Sequence, residues 1–145
     1  MNKITLAIIT ILTASGLALS ACASRGIISA LAGTSWKLVS YGATGNQTPA
    51  APGVESSLIF GSDGQVSGNL GCNGFGGEYE VKDGQLVLGP LVSTLMACPE
   101  PQMTQESTAF QVLTGTVLFE VAGDTLTIYD ASGLIAITLS QVVNN

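Results

Sequence analysis

Histidine is absent from this 145-residue sequence, and charged residues make up only 10% of it. Without histidine there is no Ser-His-Asp triad, no histidine to activate a cysteine nucleophile and no imidazole ligand for zinc. Three cysteines are also too few for a tetrahedral zinc site of four thiolates. We therefore predict a protein that is not an enzyme and that has no catalytic residues, no metal and no cofactor.

Positive charge is scarce as well. Four lysines and arginines stand against ten acidic residues, which gives a formal net charge of −6, or −7 once Lys3 is removed with the N-terminal segment. A surface this acidic repels the phosphates of nucleic acid and anionic lipid headgroups. We expect no nucleic-acid partner.

The N-terminus carries the most specific signal. Lys3 precedes an uncharged, mostly apolar run over 4–19, which is shorter than the roughly 20 residues that a membrane-spanning helix needs. The following Leu-Ser-Ala-Cys22 resembles the lipobox of bacterial lipoproteins, in which the cysteine is lipidated and becomes the first mature residue. An ordinary cleavage site with an incidental cysteine is the alternative. We predict a lipoprotein signal peptide over 1–21 and a lipidated N-terminus with a short tether over 22–32.

A lipid on Cys22 sets the expected location. Each buried CH₂ of an acyl chain, such as palmitate, contributes about 0.8 kcal/mol to membrane binding. The protein is then membrane-anchored and extracytoplasmic. The residue after the cysteine is Ala23 rather than Asp, which in the Gram-negative sorting rule favours the outer membrane, at its periplasmic face.

Cys72 and Cys98 remain as a pair in an oxidising compartment. A disulfide between them would close a loop of about 27 residues and add roughly 3 to 4 kcal/mol of stability in the chain-entropy model. Two free buried thiols are the alternative.

Short alternating runs predict strands over most of the mature chain. The first run places Trp36 and Leu38 on one face and Tyr41 on the other, and 42–53 is predicted to be a loop. Asp-Gly pairs at 63–64 and 83–84 indicate tight hairpins. The predicted strands cover 34–41, 56–61, 65–70, 78–81, 85–89, 117–121, 125–130 and 134–139.

One segment has helical spacing instead. Met103, Phe110 and Leu113 recur along one stripe, with Gln105 and Glu106 elsewhere on the wheel. The predicted fold is mainly β, in the α+β class. It is a small antiparallel sheet of seven or eight short strands curled toward a barrel, with one helix inserted near residues 101–114.

The stretch "GNLGCNGFGGEY" over 68–79 is rich in glycine but lacks the lysine and hydroxyl of a phosphate loop. Its glycines are interpreted as turn and bulge positions between strands, with Asn73 tolerating a left-handed backbone. Glu78 and Glu80 share a strand face. They are either a general acid–base pair or, as we prefer, a solvated surface.

Several aromatic residues have two possible roles. They could line an apolar ligand cavity or simply fill the interior of a small barrel, and filling is the preferred interpretation. These residues are Trp36, Phe75, Tyr79, Phe110 and Phe119.

Longer segments resemble a known family. "TSWKLVSY", "GCNGFGGEY" and "STLMACPEPQMTQESTAF", followed by a final pair of strands, are similar to the META domain of HslJ-like bacterial lipoproteins, over a domain of residues 33–141. Glu106 and Phe110 lie in the third segment. The residues that carry the family motif are Gly71, Cys72, Asn73, Phe75, Tyr79, Thr94, Met96 and Cys98.

The resemblance implies a small antiparallel β-structure with a helix, and its two cysteine positions match Cys72 and Cys98. It also implies a link to stress response and to resistance to the antibiotic novobiocin and, in some parasites, to motility and virulence. No catalytic residue or cofactor is established for the family. We expect a non-catalytic, lipid-anchored envelope protein that binds a protein partner under stress. The alternative is a carrier or sensor of a small hydrophobic ligand inside the curled sheet.

Replacing Cys22 with Ser is expected to block lipid modification and to release or stall the precursor, because a hydroxyl does not substitute for the thiol in the lipobox. Incorporation of labelled palmitate and membrane fractionation measure this. Unchanged membrane attachment would refute the lipobox interpretation.

Overall fold

The computed structural model describes residues 31–143. The predicted signal peptide, Cys22 and nearly all of the tether lie outside the described residues. Over 31–143, no helix is long and apolar enough to cross a membrane.

The structure confirms a mainly β fold with a single helix among the described residues. The strands and the helix, in chain order, are β1 (Thr34–Ala43), β2 (Asn46–Pro49), β3 (Ser57–Phe60), β4 (Gln65–Asn69), β5 (Gly74–Lys82), β6 (Gln85–Leu88), β7 (Val92–Ser93), α1 (Gln102–Val112), β8 (Thr116–Val117), β9 (Phe119–Ala122), β10 (Thr125–Tyr129) and β11 (Ile135–Gln141). All strand pairs are antiparallel.

The sheet is nearly closed into a barrel. Its strand order is β8-β6-β5-β4-β3-β1-β11-β10-β9, with β2 added to β1 and β7 added to β5. The two end strands, β8 and β9, follow each other in the chain with only Leu118 between them. A sheet whose first and last strands are joined this closely must curl on itself.

Residues 31–143 form eleven strands, more than the seven or eight expected. Part of the segment predicted as a loop, Asn46–Pro49, turns back and pairs with the second half of β1. The short strands β7 and β8 pair over only two residues each. Pairing this short depends on neighbours that are distant in sequence, so it leaves little periodicity to detect.

A bulge in β1 changes which side chains face the core. The register against β11 shifts between Leu38 and Ser40, so Val39 is the extra residue. Beyond a one-residue bulge the inward and outward faces exchange. Tyr41 is therefore buried together with Trp36 and Leu38, whereas the sequence alternation placed it on the opposite face.

Glycine has two different uses along the meander β3–β6. Gly64 and Gly84 have positive φ in the two predicted hairpin turns. Gly77, in contrast, lies inside β5, where a Cβ atom would come within 2.7 Å of Leu91 Cδ2 and 3.0 Å of Pro90 O. The interpretation of the glycines over 68–79 as turn and bulge positions is therefore wrong for Gly77, which pairs with Val66 without a register shift. Gly77 is inside a strand because another segment crosses close above it.

Side chains from both halves of the sheet and from α1 form one hydrophobic core. Trp36, Phe75 and Phe119 belong to it, and Tyr79 and Phe110 pack against it at its edge. The largest fully buried apolar side chains are Leu31, Trp36, Leu58, Phe60, Leu70, Leu86, Leu113, Leu126, Ile128, Ile137 and Leu139.

The helix buries a different face from the one predicted. Gln105 and Glu106, assigned to the polar side of the wheel, are buried together with Ala109 and Val112, whereas Met103 is only partly buried. Two polar side chains that enter a protein interior must find hydrogen-bond partners there. Those partners define the candidate site.

Candidate functional site

A tight turn over residues 70–73 joins β4 to β5 and brings the first motif residues together. Asn69 closes the turn: its Nδ2 donates to Cys72 O at 3.1 Å, and its Oδ1 accepts from Gly71 N at 2.9 Å. An asparagine side chain that bonds its own following backbone is a common way to hold such a reversal.

The carboxylate of Glu106 holds this turn from the helix side. One oxygen, Oε2, accepts from Cys72 N at 2.7 Å and also from Asn73 N. The other, Oε1, accepts from Asn73 Nδ2 at 2.7 Å. Glu106 is only 5% exposed, and hydrogen bonds to a charged acceptor are stronger than neutral ones. The carboxylate therefore fixes the turn to α1.

Gly71 makes this contact sterically possible. A Cβ atom at this position would lie 2.6 Å from Gln102 O and 2.7 Å from Glu106 Cβ. Any other residue would push the first turn of α1 away from residues 70–73. Glycine is required at 71 because of this close approach of helix and turn.

Gln105 extends the same network to the other side of the helix. Its Oε1 accepts from Ala51 N at 2.7 Å and its Nε2 donates to Leu70 O at 2.7 Å. The side chain is fully buried. It ties the start of the β2–β3 connection to the β4–β5 turn through the helix.

Asn73 connects the turn to a further segment, residues 91–98, which we call the apolar loop. Its Oδ1 accepts from Thr94 Oγ1 at 2.8 Å and from Met96 N at 2.7 Å, and its Nδ2 donates to Met96 O at 3.2 Å. Asn73 is 4% exposed. We refer to Asn73, Thr94, Gln105 and Glu106 as the polar hub.

Two more bonds pin the apolar loop. Thr94 N donates to Gly74 O at 3.0 Å. Cys72 and Cys98 form a disulfide with their Cα atoms 5.9 Å apart. The loop is therefore held at residues 94, 96 and 98, which alternate along the chain.

Three side chains of the apolar loop face outward and are apolar. Leu95 is 95% exposed, Val92 76% and Met96 55%. Single exposed apolar residues are normal on protein surfaces, but a group of them on one ordered loop marks an interaction site. The polar hub thus holds an apolar surface in a fixed shape.

Most of the family-motif residues come together here, and Tyr79 does not. Tyr79 lies further along β5, where its ring packs edge-on against Phe60 with centroids 4.9 Å apart and its hydroxyl donates to Gly61 O at 2.8 Å. Burial, and then the charge of Asp63, raise the pKa of this phenol. Phe75 is closer to the hub and packs edge-on against Phe110 at 5.3 Å.

The structure does not assemble the predicted acid–base alternative into a cleft. Glu78 and Glu80 are both exposed on β5. Among residues 31–143, no group of three or more His, Cys, Asp or Glu residues could hold a metal ion. What the site offers chemically is a shaped apolar surface on a rigid support.

A surface cleft of about 470 Å³ lies beside the site, between the β6–β7 connection and the end of α1. Its apolar wall comes from Leu88, Leu91, Phe110 and Leu113, and Ser93 and Thr114 add hydroxyl groups. Leu91 and Ser93, which line this cleft, belong to the apolar loop.

The sequence analysis missed the buried role of Gln105 and Glu106. Gln105, Ala109 and Val112 have the i, i+4, i+7 spacing of a buried helix face. That spacing was available in the sequence, but the two polar residues concealed it because polar side chains normally lie outside.

Comparison with known proteins agrees with the fold. A family model described as the META domain matches residues 29–142. "Heat shock protein HslJ" from Escherichia coli strain K12 is 28% identical over 88 residues, which are 60% of this chain and 62% of that protein. The match thus spans less than two thirds of this curated relative.

Two solved structures resemble this one. An NMR structure of a protein from Burkholderia xenovorans has a TM-score of 0.68 at 24% identity, covering 94% of this chain and all of that one. The crystal structure of a DUF4847 family protein from Bacteroides vulgatus ATCC 8482 has a TM-score of 0.60 at 12% identity, covering 83% of this chain and all of that one. These similarities confirm the fold alone.

The charge of Glu106 can be tested by Glu106→Gln. In the variant, the side-chain N–H₂ group takes the place of a carboxylate oxygen such as Oε1, which accepts from Asn73 Nδ2. One hydrogen bond is then lost, and two donors face each other. We expect a loss of about 1–3 kcal/mol in the free energy of unfolding, measured by urea denaturation. The exposed Glu80→Gln is the control and should change it by less than about 0.5 kcal/mol. Equal effects would contradict a structural role for the buried charge.

Proposed function

Because the chain belongs to the META domain family, we propose that it is a lipid-anchored, non-catalytic protein of the cell envelope that binds a protein partner during stress. The link to stress is supported by the similarity to a protein named as a heat shock protein. The anchor is supported by the lipobox ending at Cys22.

The anchor would keep the domain near the membrane. Eight residues lie between Cys22 and Leu31, the first described residue, and the nine steps along the chain span at most about 32 Å when fully extended. In a Gram-negative host, Ala23 favours the outer membrane, with the domain on its periplasmic face. A partner would then be another envelope protein within this reach.

The observation that carries protein binding is the exposure of Leu95 on a loop that is already ordered. Binding normally has to order the residues that make contact, which costs about 0.5–1.5 kcal/mol for each flexible side chain and more for loop backbone. The hydrogen bonds of Asn73 to Thr94 and Met96 fix the backbone beforehand. A surface held in this way has less entropy to lose when a partner covers it.

The charge of the domain indicates what kind of partner fits. All ten acidic residues of the chain lie among the described residues, whereas Lys37 and Lys82 are the only basic residues there. Complementary charges steer association and disfavour wrong partners. We infer a partner with an apolar socket for Leu95 and Met96 and a rim rich in lysine or arginine.

A photo-crosslinking residue at position 95 of the anchored protein should give one discrete protein adduct in living cells. The same residue at position 134, replacing exposed Leu134 in the β10–β11 turn, is the matched control and should not give this adduct. Mass spectrometry of the adduct identifies the contacted residues, which should be apolar with basic neighbours. The same adducts from both positions, or adducts with lipid only, would contradict the proposed surface.

Carriage of a small hydrophobic ligand is a second candidate, favoured by the 470 Å³ cleft with its wall of Leu88, Leu91 and Phe110. Core side chains occupy the space between the sheet and α1, and two of them, Leu88 and Leu113, also line this cleft.

Native mass spectrometry of residues 23–145, compared with the same sample after denaturation, separates the two candidates. For the protein-binding function we expect the mass of the bare chain, less two hydrogens for the disulfide. An excess mass that is lost on denaturation would favour the carrier instead, and the released species would identify the ligand.

A further inference from the structure

We propose that Asn73-Gly74 is a self-modification site that the polar hub keeps closed, and that its reaction permanently detaches residues 94 and 96 of the apolar loop from the Asn73 side chain. The inference rests on the geometry of the hub and does not require that the loop bind a protein. Its chemical class is intramolecular deamidation of an asparagine amide by the next backbone nitrogen.

The reaction needs only water as a co-reactant. The backbone nitrogen of Gly74 forms a bond to Cγ of Asn73, and the Asn73 amide nitrogen leaves as ammonia with the proton from Gly74 N–H. Water then opens the resulting cyclic imide at either carbonyl. Residue 73 becomes aspartate or isoaspartate, and no atom is oxidised or reduced.

The fold does not require glycine at 74, as it does at 71 and 77. Its φ is not positive, and a Cβ atom there would meet nothing closer than Gly68 O at 3.9 Å. Alanine would therefore fit at 74, whereas it would not fit at 71. Glycine after asparagine leaves the attacking nitrogen without a side chain beside it, which favours ring closure.

The hub holds the Asn73 amide away from this reaction. The amide makes four hydrogen bonds, to Thr94 Oγ1, to N and O of Met96, and to Glu106 Oε1. Attack by Gly74 N makes Cγ tetrahedral, which displaces the amide oxygen and nitrogen from the positions that these four bonds hold, and the two bonds of Nδ2 are lost when it leaves as ammonia. Asparagine is among the thermolabile residues of proteins, and here its reaction is limited to molecules in which the hub has opened.

The product does not fit back into the hub. In aspartate, an oxygen acceptor replaces Nδ2, which donated to Glu106 Oε1 at 2.7 Å and Met96 O at 3.2 Å. Two carboxylates would then face each other at hydrogen-bond distance in a buried site, where like charges disfavour each other strongly. Isoaspartate also lengthens the backbone of the turn. A molecule that reacts in the open state therefore cannot pin residues 94 and 96 again.

The first test follows residue 73 of the purified full chain by peptide mass analysis and by an isoaspartate-specific methyltransferase. We compare folded protein, protein in urea with reductant, and the Gly74→Ala variant in urea with reductant. We expect the folded protein to convert at least about a hundredfold more slowly than the unfolded protein, because only transiently open molecules react. Folded Glu106→Gln should convert faster than the folded wild type.

Two results would overturn the proposal at this stage. Equal rates in folded and unfolded wild type would mean that the hub does not protect Asn73. Equal rates in unfolded wild type and unfolded Gly74→Ala would mean that attack by the Gly74 nitrogen is not the route.

The second test measures whether aspartate at position 73 disrupts the polar hub. Asn73→Asp should fold with lower stability and lose hydrogen-exchange protection at residues 94 and 96. Adding Glu106→Gln to Asn73→Asp should restore part of the stability and part of the hydrogen-exchange protection. The side-chain amide at position 106 then donates to the carboxylate at position 73. Wild-type protection in Asn73→Asp, or no recovery in the double variant, would refute the proposed mismatch.

Discussion

The buried carboxylate of Glu106 is the constraint on which the rest of the site depends. It accepts two backbone N–H groups from the β4–β5 turn and one from the side chain of Asn73. These donors are themselves buried, so they would carry a desolvation cost without an acceptor. One side chain on α1 thereby sets the position of the helix, the shape of the turn and, through Asn73, the path of the apolar loop.

Packing and polarity support each other around this carboxylate. Gly71 lets α1 approach closely enough for Glu106 to reach the turn, and the disulfide joins that turn to the end of the apolar loop. Both contacts are needed. Without the close approach at Gly71, the Glu106 carboxylate could not reach the turn, and without the disulfide, the apolar loop would not stay beside Asn73. Networks of this kind are specific because every member must be satisfied at once.

Structural features with a local cause were predictable from the sequence, whereas features set by residues distant in the chain were not. The Asp-Gly turns and the alternation of β3 to β6 act locally, so the antiparallel meander was predictable. The bulge at Val39 is set by pairing with β11, almost a hundred residues later, and it turned Tyr41 inward against the local pattern. The burial of Gln105 and Glu106 likewise depends on partners more than thirty residues away, which a helical wheel does not include.

The residues that carry the family resemblance are chiefly those that hold the loop, not the one that projects furthest from it. Thr94, Met96 and Cys98 are bound through Asn73 and Cys72, whereas Leu95 stands between them, is exposed and lies outside the motif. A support fixed at alternate positions leaves the side chain between them free to change without disturbing the fold, since it packs against nothing inside. The fold therefore restrains residues 94, 96 and 98 and places no packing constraint on the side chain at 95.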